Sequence, residues 1–346
     1  MGNWGGALLV SMKSNIAISY QDSISPENLY AAWREFFQGK KNKSDVAEFA
    51  LDLSRHIYEL HFALKQAEYM HGGYWAFPVN DPKPRSIHKA TVRDRVLHRA
   101  LYRRLYPFFD RLFIYDSYSC RIGKGTHRAL HRFMDFSRKS SRNNTRTCFV
   151  LKCDVRKCFA SIDQEVLREI LQKWITDADV LNLLQEVVES FHIGRKGKGL
   201  PLGNLTSQLL VNIYMNEFDQ FVKHKLKVKY YIRYADDFVI LSCEKAELEL
   251  LLPSIEMFLL GRLKLSLHPG KVFIKTLASG VDFLGWVHFI NHRVLRTSTK
   301  RRMLRNLQSN PKVESITSYL GMLKHGNGYK LSERIATAVH AERPPI

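Results

Sequence analysis

Two adjacent acids, Asp236 and Asp237, interrupt a stretch that otherwise reads as strand. Residues 228–242 run Val-Lys-Tyr-Tyr-Ile-Arg-Tyr-Ala-Asp-Asp-Phe-Val-Ile-Leu-Ser, with aromatic and β-branched side chains on both flanks. The break between the flanks is two residues long, which predicts a tight β-hairpin with acids at its tip. Neighbouring carboxylates repel each other and gain nothing from packing; a hard divalent cation such as Mg2+, which takes carboxylate oxygens, resolves the conflict. An isolated Asp-Asp is also what a solvated acidic turn looks like, so a third carboxylate is needed to decide. Asp154 supplies one. It ends the apolar run Phe149-Val-Leu-Lys-Cys-Asp154, and the segment 161–171 that follows has helical periodicity with acids in its first turn.

Strand, acid, turn, helix and a later acidic hairpin follow the order of a polymerase palm. The box Tyr234-Ala235-Asp236-Asp237 resembles that of reverse transcriptases, and Asp154 with Phe159 matches their first catalytic motif. Most of these enzymes carry Gln-Gly-x-x-x-Ser-Pro in a later block. Here it reads Leu202-Gly203-Asn204-Leu205-Thr206-Ser207-Gln208, and both departures resemble the reverse transcriptases of diversity-generating retroelements.

The resemblance implies an α+β right-hand polymerase fold, with fingers, a palm built on an antiparallel sheet with helices on one face, and a short helical thumb. The expected bounds are an N-terminal extension over 1–43, fingers over 44–146, palm over 147–289 with a fingers insertion around 172–200, and thumb over 290–346. It further implies two Mg2+ ions, with Mn2+ as a possible substitute, held mainly by Asp154 and Asp236. Asp237 is then a second-rank ligand or an electrostatic support, and the Val155 carbonyl completes the site. Phe159 is expected to exclude the sugar 2′-hydroxyl, although core packing explains a Phe there equally well. Lys83, Arg85, Leu202, Gln208 and Lys271 are expected around the incoming deoxynucleotide. Arg121, Lys124, Arg128, Tyr234, Phe283, Gly285, Trp286, Arg301 and Arg302 are expected along primer and template. The implied partners are a dedicated template RNA with its RNA/DNA duplex, deoxynucleotides, and a small basic oligomeric accessory protein.

The rest of the chain must position these groups. With 346 residues it can bury a large core. Its 53 basic and 33 acidic residues leave a net charge of +20, the footprint of a polyanionic partner. No apolar run reaches transmembrane length, the Ala7-Leu-Leu-Val10 run is too short for a signal peptide, and Met1-Gly2 lacks the Ser or Thr of a myristoylation signal. Five cysteines without a Cys-x-x-Cys pair fit a reducing cytosol; that the cytoplasm is bacterial, or the protein phage-encoded, is what the resemblance implies. Cys148, Cys153 and Cys158 read as small hydrophobes, with metal ligation as the alternative.

In chain order, Ser25-Pro26 predicts a capped helix to about Phe37, and apolar spacing predicts one long helix over 44–69. A strand at 74–79, a proline turn around Lys83, a strand beginning near Arg85 and a helix over 91–101 follow. Between Arg121 and Arg146 lie eight Lys or Arg and a single acid, Asp135; the run is either a solvated face or a phosphate-binding surface. A mobile glycine- and lysine-rich loop leads into a helix over 209–222. Residues 263–271 alternate as a strand ending at Lys271, and 281–286 resemble the primer-grip hairpin. Basic residues from Arg296 to Arg305 open the thumb, after which the chain is expected to have no room for the maturase and endonuclease domains of group II intron proteins. Two other readings stand beside the retroelement enzyme: a reverse transcriptase of group II intron or retron type, and a non-catalytic RNA-binding scaffold.

Overall fold

Ser25 caps the first long helix as its sequence predicts: the hydroxyl accepts from the Asn28 N–H at 3.2 Å, Pro26 takes the first turn, and Pro26–Phe37 buries Leu29, Ala32, Trp33 and Phe36. The structure is a computed structural model that describes residues 18–80, 84–309 and 312–341. Lys83 lies outside the described residues. Contacts divide the chain into two compact units.

The first unit gathers residues up to Pro78 with Ser86–Leu112 and Phe159–Tyr214. The single helix expected over 44–69 is broken into Ser44–Leu51 and Leu53–Lys65. Asp52 leaves the helical region there (φ −129, ψ 48), and its exposed carboxylate pairs with the Arg55 Nε. Strands β1 (Tyr74–Val79) and β2 (Arg85–Ala90) pair as a two-stranded sheet. The helix expected to stop near Leu101 continues from Val92 to Leu112, through Pro107. The helix expected from 161 starts at Gln164, because Asp163 remains extended and caps the Val166 N–H.

The second unit is built on a four-stranded antiparallel sheet of β3 (Phe149–Asp154), β4 (Tyr231–Tyr234), β5 (Asp237–Ser242) and β6 (Phe273–Thr276), in the order β4-β5-β3-β6. Side chains alternate across it. One face carries Leu151, Cys153, Tyr231, Arg233, Phe238 and Ile240, and packs on the helix Lys245–Leu263 and on Phe218 at the end of the helix Leu205–Gln220. The other face carries Val150, Ile232, Val239 and Leu241, and also receives a helix, Thr126–Ser140, through Ala129, Phe133 and Phe136. Beyond that apolar patch the same alternation brings Lys152, Asp154 and Asp237 to one face.

No regular strand forms over 263–271. The Lys245–Leu263 helix ends on a left-handed Lys264 (φ +50), Leu263 and Leu265 are buried, and the rest is one bridge between Leu267 and Val155 and a 3-10 turn at Pro269–Lys271. Pro269-Gly270 cannot continue a ladder. Strands β7 (Val281–Phe283), β8 (Trp286–His288) and β9 (Arg293–Leu295) form a separate sheet, with Leu284 and Gly285 both at positive φ in the two-residue hairpin loop. Helices Thr297–Ser309, Val313–Leu323 and Tyr329–Ala341 pack with Trp286 and Leu295 around Met303, Leu323, Leu331 and Ile335. Among the described residues no helix is long and apolar enough to cross a membrane.

Candidate active site

The β4–β5 connection is two residues long, Ala235 and Asp236, and the ladder resumes with Tyr234 opposite Asp237. Ala235 is held at φ +55, a conformation that costs an L-residue about 1–2 kcal/mol. Two bonds hold it there: Arg233 Nη1 donates to the Ala235 carbonyl at 3.0 Å, and the Val155 N–H donates to the Asp236 carbonyl at 2.9 Å. The register then sets Asp154 directly opposite Asp237. Like charges facing each other across an antiparallel pair are destabilising. Each acid is matched by a lysine: Lys271 Nζ lies 2.7 Å from Asp154 Oδ1, and Lys152 Nζ lies 3.2 Å from Asp237 Oδ1. The 3-10 turn that carries Lys271 is docked on the same strand end by a 2.8 Å bond from the His268 N–H to the Asp154 carbonyl.

Burial pushes the Asp236 carboxyl above the usual carboxylate range, and the charge of Asp154 adds to it; Lys271 and Arg85 pull it back. Burial likewise raises Asp237, opposed first by Lys152. Two half-buried carboxylates whose charges couple are oxygen donors that suit a hard divalent ion, so Asp154 and Asp236 fit the expected cation. Among the described residues no group of three or more His, Cys, Asp and Glu side chains is placed to hold a metal. Cys148, Cys153 and Cys158 are buried as small hydrophobes; burial raises the Cys153 and Cys158 thiols to about 12 and the Cys148 thiol to about 11.

The group that holds the turn escaped the sequence reading. Arg233 is fully buried on the face that packs against the Lys245–Leu263 helix, where it makes a bidentate ion pair with Asp219 at 2.7–3.0 Å and donates to the Ser117 hydroxyl at 3.0 Å. Tyr231 donates to the same Asp219 at 2.7 Å. The only sequence signal for it is the charge of Arg233 inside the otherwise aromatic and aliphatic run Tyr-Tyr-Ile-Arg-Tyr; Asp219, in Glu-Phe-Asp-Gln-Phe, has polar neighbours and gives none.

Within the first unit, Phe159 is half-buried and its carbonyl accepts from the Leu200 N–H at 2.8 Å. Two residues on, the Leu202 carbonyl accepts from the His88 N–H at 2.9 Å, and Asn204 Nδ2 donates to the His88 carbonyl at 2.8 Å. This clamps the Leu202–Asn204 segment to β2. Gly203 (φ +106) is needed there, since a Cβ would stand 2.7 Å from Ile87 Cγ2. The helix starts at Leu205, earlier than expected, so Gln208 lies in its first turn with its N–H on the Asn204 carbonyl at 3.3 Å.

The expected primer and template residues divide. Arg121 is tied to the Ile114 and Ser117 carbonyls, and Lys124 to the Tyr115 carbonyl, so both brace their own loop. Arg128, Arg301 and the exposed start of β2, Arg85, face solvent, and Arg302 is half-buried. Tyr234 is half-buried, with its hydroxyl bonded to Thr126. Phe283 and Trp286 pair across β7 and β8 on one face, and their rings lie in the core. Phe283 is 0% and Trp286 3% exposed, whereas Gly285 sits with Leu284 on the hairpin loop.

Residues 78–288 match the reverse transcriptase (RNA-dependent DNA polymerase) family. The chain belongs to this family. Protein YkfC of Escherichia coli K12 is 26% identical over 271 residues, covering 68% of this chain and 69% of its own length. The group II intron-encoded protein LtrA of Lactococcus lactis is 22% identical over 361 residues, covering 82% of this chain and 58% of its own. Telomerase from Candida albicans, solved with a fragment of telomeric RNA, superposes with a TM-score of 0.51 at 11% identity over 78% of this chain. Apo telomerase from Candida tropicalis gives 0.50 at 13% over 66%. The chain spans only 54% and 55% of those two structures and 58% of LtrA. At such identities the structural likeness is one of fold, the right-hand polymerase fold. The reverse transcriptase match includes all three acids, both lysines, Arg85, Phe159, Leu202 and Gln208; the helix bearing Arg301 and Arg302 lies outside it.

Proposed function

We propose that this reverse transcriptase copies a dedicated template RNA into error-prone, adenine-mutagenised cDNA that diversifies a target gene by retrohoming, as in diversity-generating retroelements. One observation carries the polymerase chemistry: Asp154 stands opposite Asp237 with Asp236 on the adjoining strained turn. Two Mg2+ or Mn2+ ions held by Asp154 and Asp236, with the Val155 carbonyl, would activate the primer 3′-hydroxyl and neutralise the leaving pyrophosphate. The residues of the chain do the remaining work. Arg233 and Asp219 fix the turn so that Asp236 is presented without reorganisation. Arg85 and Lys271 give cationic contacts to the triphosphate, with Lys271 exchanging Asp154 for a phosphate oxygen. Phe159 excludes the ribose 2′-hydroxyl. Residues 44–146 act as fingers, 147–289 as palm and 290–346 as thumb; the template RNA, its duplex and a small basic accessory protein are the partners, in a bacterial cytoplasm.

Leu202 and Gln208 support the mutagenic reading. Leu202 offers an incoming base pair apolar contact where Gln would offer hydrogen bonds. Gln208 keeps an N–H on Asn204 that proline could not supply. One missing hydrogen bond, about 1 kcal/mol, erodes selection roughly fivefold. The test is deep sequencing of cDNA made on one RNA by the wild type and by Leu202→Gln with and without Gln208→Pro. Errors concentrated opposite template adenine, reduced in the variants, support the reading. The similarity to LtrA favours a second reading, an intron-type enzyme of ordinary fidelity. An even error spectrum in the wild type would select that one, and absence of any RNA-templated extension would sink both.

A further inference from the structure

We propose that Lys152 is the built-in counter-ion of Asp237, and that Asp237 acts through this lysine rather than as a metal ligand. The inference rests on the polymerase reading above. Lys152 lies on β3, which is flanked by β5 and β6, and is buried to 7% exposure. Strand alternation puts it on the same face as Asp154, two residues on, and its ammonium meets Asp237 at 3.2 Å. An ammonium withdrawn from water this far must be paired. Lys271 differs: it sits on a short turn with its side chain 36% exposed, and can leave Asp154 when a triphosphate arrives. The site therefore holds one exchangeable lysine and one fixed one. Asp154 and Asp236 are released to bind cations, while Asp237 stays committed to Lys152.

The pairing has a directional consequence. In Asp237→Asn the buried ammonium loses its partner, and the nearest carboxylate on its own face is Asp154. Lys152 then competes for the acid that the reaction needs. Removing the lysine as well should relieve the defect, which no loss of a metal ligand would allow.

The experiment compares the full-length wild type, Asp237→Asn, Lys152→Met, the double variant, and Asp236→Asn with and without Lys152→Met. The readouts are single-nucleotide extension on an RNA template across a Mg2+ titration, and thermal unfolding without metal. We expect Asp237→Asn to lose about tenfold or more in kcat and to need more Mg2+, and the double variant to recover to within roughly threefold of wild type at a near-normal Mg2+ midpoint. Asp236→Asn should stay inactive in both backgrounds. Without metal, each single change should lower Tm, and the double should lower it by less than the two shifts combined. A double variant no more active than Asp237→Asn, with its Mg2+ midpoint still raised, would make Asp237 a ligand and overturn the proposal. If the wild type extends no primer, the polymerase reading fails by itself, and additive Tm shifts would then overturn the pairing independently.

Discussion

Removing Asp219 should loosen the catalytic turn without touching any group that meets substrate. Asp219 and Arg233 are both fully buried, and Arg233 donates to both carboxylate oxygens at 2.7–3.0 Å. Asp219→Ala takes from a core guanidinium its carboxylate partner, leaving the Ser117 hydroxyl and the Ala235 carbonyl among the groups it meets, and removes the acceptor of the Tyr231 hydroxyl. Breaking a buried pair from one side costs about 3–5 kcal/mol. For a unit of this size each kcal/mol moves Tm by roughly 2–4 °C, so a drop of about 6–20 °C is expected. The kinetic effect should be more specific. Ala235 keeps its left-handed backbone partly through Arg233, so a displaced Arg233 frees the turn and lowers kcat, while KM for deoxynucleotide changes little. Circular dichroism melts and steady-state primer extension at a temperature well below both melting points separate the two effects. A Tm within about 2 °C of wild type would show that the pair contributes little to stability. A large Tm loss with kcat intact would show that the network supports the sheet and leaves the turn to Val155.

Three further outcomes follow from the same geometry. Phe159→Ala should admit ribonucleotides, checked by the ratio of dATP to ATP incorporation; an unchanged ratio would assign this half-buried ring to packing. Gly203→Ala should impair activity and stability through both the 2.7 Å approach to Ile87 and the φ of +106, so adding Ile87→Ala should relieve only part of the loss in a melting and extension assay. His288 is buried against Phe133, and burial, then Arg293, lower its pKa from 6.5 to about 4. The unfolded chain thus binds the extra proton: stability is whole above pH 6.5 and falls as pH drops toward 4, by about 3 kcal/mol in total. Relative to wild type, His288→Leu should flatten the Tm profile across that window.

The acidic hairpin was legible because a strand's side-chain period is two. Once residues 228–242 and 149–154 are taken as antiparallel strands, the acids can share a face, and pairing Asp154 with Asp237 is what makes them do so. The same periodicity misleads where it cannot say which face is core. Phe283 and Trp286 face the same way in hairpin register, and a hairpin sequence fits a ring laid on nucleic acid as well as one packed on Phe133. It also fails over 263–271, where Leu263 closes a helix, Lys264 is left-handed and only Leu267 makes a bridge. Over 44–69 the apolar spacing is continuous while the backbone breaks at Asp52, a residue of low helix propensity. The least legible part is the electrostatic support of the site. Lys152 and Arg233 are charged residues on strands, and a strand's alternation equally permits a solvated edge. Their burial depends on elements far along the chain, the helix that brings Asp219 and the strand that brings Asp237. A charge inside an apolar strand is costly unless it is paired, so the useful sequence question is which distant acid each such cation was placed to meet. For Lys152 that question leads from a buried strand residue to a division of labour between two adjacent aspartates, one presented to the reaction and one held by the protein itself.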